Sequence, residues 1–141
     1  MTLDTLAAKQ ELEEKGYTCI VRKGEDLCFS MEHGVKPLLK WISEGKDFSG
    51  YGGADQVIGK AAALLYIYLG VRDIYGQVIS DQAIRVFEEH GVTYTYAERV
   101  PYIINRRKDG LCPMEQTVLG TSDPEEAVEL LRNKVKSMMI G

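Results

Sequence analysis

The chain has 141 residues, 45% of them hydrophobic, enough for one compact domain with a real core, and we expect a single domain over residues 1–141. Its net charge of −4 and pI near 5.2 speak against nucleic acid as a partner, because such proteins present a basic face. The densest basic cluster, Arg106-Arg107-Lys108, sits beside Asp109-Gly110 and reads as a solvated turn. The longest apolar stretch, Ala61 to Leu69, is too short to span a bilayer, so no membrane partner is expected. Cys19, Cys28 and Cys112 form no disulfide framework and no leader pattern opens the chain, which together point to the cytoplasm.

In chain order, Thr2 caps a helix through Lys15 that Gly16 ends. Tyr17 to Arg22 and Leu27 to Met31 form a hairpin around Lys23-Gly24-Glu25-Asp26. Val35 to Ser43 is a short helix with Pro37 near its start and Trp41 as a packing residue. Ser49 to Asp55 reads as a glycine-dense loop. It feeds a buried helix within the apolar run Val57 to Leu69, which Gly70 closes. Asp73 to Ile79 is a buried strand, and Ser80 caps a helix to Glu89 that Gly91 ends. Val92 to Tyr96 alternates as a strand, and Val100 to Ile104 reads as an edge strand beginning at a proline. Pro113 opens a short helix, and Asp123, Pro124 and Glu126 open the last one, which runs to about Met139. This order predicts an α/β fold, a sandwich around a mixed sheet.

The run Gly53 to Lys60 looks like a phosphate loop and fails the pattern. Five residues separate Gly53 from Gly59 where four are required, and Ala61 stands where a Ser or Thr would hold magnesium. A site at the same place survives that rejection. Gly52, Gly53 and Ala54 let backbone approach a ligand, Asp55 lies near the expected helix start, and Lys60 can reach back from the helix to the loop. The functional reading has Lys60 and the helix N-terminus holding an anionic group, most simply a nucleotide phosphate, with Asp55 against a hydroxyl or amine or acting as base or nucleophile. The structural reading makes Asp55 an N-cap and gives Lys60 a carboxylate partner within the fold. Asn105-Arg106 and Cys112-Pro113-Met114-Glu115 form a second constellation. A thiol at a helix start is activated by the dipole, and Glu115 one turn on can take a proton or cap a helix. Packing or capping is the simpler role for Cys112, because neither His33 nor His90 is placed beside it by the sequence.

Four blocks in order, Gly53 to Ala63, Val78-Ile79-Ser80, Pro101 to Arg106 and Cys112 to Glu115, resemble the family called domain of unknown function 1893 over nearly the whole chain. The resemblance implies a cytidine deaminase-like fold, a three-layer α/β/α sandwich, with no settled activity. Zinc deaminases place His or Cys, one residue, then Glu at one helix start, and Pro-Cys-x-x-Cys at the next. Neither Cys-x-x-Cys nor His-x-Glu occurs here, so no metal ligands are assigned and hydrolytic deamination through zinc is not expected. The resemblance places the cleft at the helix starts near Asp55, Lys60 and Ser80. Three classes follow: a pocket for a nucleotide or small anionic metabolite, with a bound nucleotide as its only cofactor-like group; a zinc-independent enzyme using Asp55 and Lys60, or Cys112 and Glu115; or an interaction subunit packing through Tyr94, Tyr96 and Tyr102. Fold analogy also implies a homo-oligomer.

Overall fold

A computed structural model describes residues 1–105, 108 and 110–140. The elements are α1 (Leu3–Lys15), β1 (Cys19–Lys23), β2 (Asp26–Ser30), α2 (Lys36–Ser43), β3 (Gly52–Ile58), α3 (Lys60–Leu69), β4 (Asp73–Ser80), α4 (Asp81–Glu89), β5 (Thr93–Val100), α5 (Pro113–Thr117) and α6 (Pro124–Ile140). One mixed sheet runs in the order β2-β1-β3-β4-β5. The β1–β2 and β1–β3 pairs are antiparallel, and β3–β4 and β4–β5 are parallel.

The sheet separates two cores. Ile20, Ala54 and Tyr75 meet Ala8 and Leu12 of α1 on one face. Cys19, Val21, Ile58, Ile74 and Ile79 meet α2, α3, α4 and α6 on the other. The result is an α/β fold of three layers, with most of the helical mass on the second face. α3 is the keel of that mass: Ala61 through Tyr66 are all buried, as expected for a helix apolar on nearly every side. Several local signals act as expected. The Thr2 hydroxyl accepts from the Thr5 amide and Gly16 is left-handed at the end of α1. The Ser80 hydroxyl accepts from the Ala83 amide at 3.1 Å.

Two expectations are corrected. Gly52–Ile58 is a strand at the centre of the sheet, and the helix starts only at Lys60. A strand covered on both faces loses its alternation, so its apolar end merges in sequence with the buried helix that follows. Its glycines answer crowding: a Cβ on Gly52 would lie 2.9 Å from the carbonyl carbon of Asp4 and would strike Thr5. The second correction concerns the last strand. β5 spans Thr93–Val100 and stops where an edge strand was expected to begin. Pro101 lacks the N–H to continue the ladder, and Ile104 instead forms an isolated bridge with Leu111.

Candidate functional site

The carboxyl end of β3, the start of β1, residues Glu32 to Val35, the start of α3 and the side chains of Ile103, Ile104, Cys112, Met114 and Glu115 line a cavity of about 320 Å³. Asp55 lines it from mid-strand. A helix start was the expected position; the extra length of β3 moves the residue out of the helix. The Tyr66 hydroxyl donates to Asp55 Oδ2 at 2.6 Å and the Val57 amide to Oδ1 at 3.2 Å. Burial outweighs those bonds and pushes the Asp55 carboxyl up to about 7. A carboxyl poised there exchanges protons near neutrality.

Glu115, 3% exposed, lines the same cavity. Its Oε1 accepts from the Lys60 amide at 2.7 Å and its Oε2 from the Ala61 amide at 2.8 Å. The carboxylate therefore caps α3 from 55 residues away, and the first free amides of that helix already have their anion. Gly59 makes the arrangement possible, since a Cβ there would lie 2.6 Å from the Glu115 carboxyl carbon. Burial raises the Glu115 pKa, opposed by the two amides and by the Lys60 charge. Lys60 does not turn back toward β3. Its Nζ donates to the Leu119 carbonyl at 3.2 Å, and its side chain is absent from the cavity wall.

A family model described as a domain of unknown function, DUF1893, matches residues 7–135. The chain belongs to the DUF1893 family. The crystal structure of a DUF1893 protein, TM1506 from Thermotoga maritima, superposes with a TM-score of 0.87 at 27% identity, covering 95% of this chain and 92% of that one. Among curated proteins nothing matches. The likenesses carry family and fold, and no activity comes with them.

In this DUF1893 chain the structure gathers Asp55, Cys112 and Glu115 around one cavity and leaves Lys60 outside it. Gly52, Gly53 and Ala54 are buried within the sheet and do not line this cavity. Ser80 is fully buried as the cap of α4. Asn105 lines a neighbouring cavity rather than this one, and Arg106 lies outside the described residues. Among the described residues, no three His, Cys, Asp or Glu side chains stand close enough to hold a metal ion.

Glu32 and His33, which line the cavity together with Cys112, were missed from sequence, as were Cys19 and Tyr66. Cys19 is the register partner of Asp55 across β1 and β3 and lines the cavity. Burial and the Asp55 charge raise its thiol pKa far above the ordinary value, so it is inert as a nucleophile. Tyr66, fully buried, bonds both Asp55 and Cys19. A hydroxyl inside an otherwise apolar helix must find a partner, and that demand was the one available signal.

Proposed function

We propose that this protein binds a small polar molecule, neutral or cationic, in the cavity at the carboxyl end of β3, with Asp55 as its proton-exchanging contact. One observation carries the reading: Asp55 faces the cavity with its carboxyl shifted to about 7 and held by Tyr66. Perturbed carboxyls in a cleft mark functional sites. The chemistry of the ligand departs from the anionic group expected at the helix start. Glu115 already occupies those amides, Lys60 points elsewhere, and among the described residues the charged side chains on the wall are the carboxylates Glu32, Asp55 and Glu115, with no Lys or Arg. A nucleotide fits this reading through the edge of its base, which carries N–H donors and acceptors, and not through its phosphate. We retain the deaminase-like scaffold as part of the proposal, supported by the succession of β3, α3, β4, α4 and β5. The free thiols of all three cysteines suit a reducing compartment, and no helix among the described residues is long and apolar enough to cross a membrane.

A second reading, acid–base catalysis, is favoured by the placement of Asp55 and Cys112 around one space. Thermal-shift screening of small neutral, cationic and anionic compounds tests the primary reading. The hits should be compounds bearing N–H donors, and their shifts should shrink at least tenfold in apparent affinity in Asp55→Ala. Phosphates that bind Asp55→Ala unchanged and lose affinity in Lys60→Ala would overturn it.

A further inference from the structure

The Asp55 cavity does not end at its own mouth. A second, larger cavity of about 670 Å³ adjoins it, and Val35, Ile104, Cys112 and Met114 line both. The two spaces differ in chemistry. The inner one carries the carboxyls, whereas among the described residues no Asp or Glu lines the outer one, where Lys36 stands instead. The rest of its wall is mostly apolar, closed by Val135, Met138 and Met139 near the end of α6. Met138 and Met139 are 54% and 75% exposed, so both side chains are accessible to a guest in this cavity. Methionine is flexible and polarisable, and it adapts to the shape of an apolar guest.

We infer that the two cavities form one two-armed site for an amphipathic small molecule, whose N–H-bearing head meets Asp55 and whose alkyl or aryl body lies along Met114, Met138 and Met139. This rests on the polar pocket proposed above and adds the class of ligand. Polarity decides the orientation. The inner arm supplies the carboxyls that a donor head needs, and among the described residues the outer arm supplies none.

A homologous series of primary alkylamines, propylamine to octylamine, titrated into the full chain by calorimetry at neutral pH, tests it. Affinity should climb roughly fourfold per methylene until the outer arm is filled. The Met138→Ser/Met139→Ser double variant, altered only at exposed positions, should flatten that gradient while leaving propylamine binding as it was. Asp55→Asn should weaken the whole series by a common factor. If propylamine binds through Asp55 and lengthening the chain changes nothing, the outer arm is not part of the site, and the polar pocket stands alone. A gradient that the methionine variant leaves intact also overturns the inference. Binding that grows with chain length and ignores Asp55→Asn overturns the polar-head reading itself, and the two-armed ligand with it.

Discussion

Two carboxyls line one cavity, and their surroundings distinguish a helix cap from a candidate ligand contact. Glu115 receives two backbone amides at the start of α3, one on each oxygen, in short bonds. Asp55 receives the Tyr66 phenol and the amides of its own strand neighbours Val57 and Gln56. Burial raises both pKa values. For Glu115 the helix end offsets much of the desolvation, and the group completes a fold that otherwise leaves orphan donors. For Asp55 less is offset. A group kept desolvated without full compensation is tolerated where its chemistry is used. The comparison teaches that a carboxylate at a helix N-terminus can be the helix's own anion, brought from far along the chain.

The largest effect expected from breaking this contrast falls on the cap. Glu115→Ala strands two buried amides and should destabilise the protein by about 3–5 kcal/mol in urea unfolding. Gly59→Ala should lose a large part of the same energy by driving the carboxylate out of place. Because both act on one contact, the double variant should be far less unstable than the sum of the singles. Additive losses would show that Gly59 serves some other packing need.

Asp55 should behave in the opposite way. Its carboxyl titrates near 7 in the folded protein and near about 4 in an unfolded chain. Below pH 4 both states hold the proton, and the group is silent. Between pH 4 and 7 the native state binds more protons than the unfolded one, so stability falls as pH rises, and above 7 the loss is complete. Asp55→Asn should therefore stabilise the protein at pH 8, on the order of 2 kcal/mol, and leave it nearly unchanged at pH 4. Tyr66→Phe should move the carboxyl midpoint further upward, because the phenol bond favours the ionised form. The Asp55 carboxyl resonance followed by NMR in the parent and in Tyr66→Phe checks that sign, and unfolding of Asp55→Asn at pH 4 and pH 8 checks the other.

The fold was largely legible where local chemistry decides it. Thr2, Ser80 and Gly16 announce helix ends through their own backbone, and the β1–β2 hairpin follows from its turn and apolar runs. The site was legible in part. Asp55, Cys112 and Glu115 stood out as polar or reactive groups at element ends, and they share a wall. What connects them was hidden, because the Glu115 cap on α3 is a contact between distant segments and leaves no periodicity. The glycines before Asp55 misled for a physical reason. Gly52 yields to the α1 backbone pressing on the sheet, and sequence does not distinguish that from a loop opened for a ligand. Cys19 entered the site only through strand register.

The smallest effect should come from Lys60, the residue that sequence favoured most. Its ammonium makes one exposed bond to the Leu119 carbonyl and stands near Glu115. Removing one exposed side-chain bond typically costs less than about 1 kcal/mol, so Lys60→Met should leave the unfolding midpoint close to the parent's. Ligand affinity should be equally unmoved, since the side chain does not reach the cavity wall. The same variant sharpens the contrast between the carboxyls. Lys60 holds the Glu115 pKa down, so its loss should raise the Glu115 midpoint while the Asp55 midpoint stays put. A shift of the Asp55 midpoint in Lys60→Met would mean that the lysine reaches β3 in solution, and the anionic reading of the site would regain its cation.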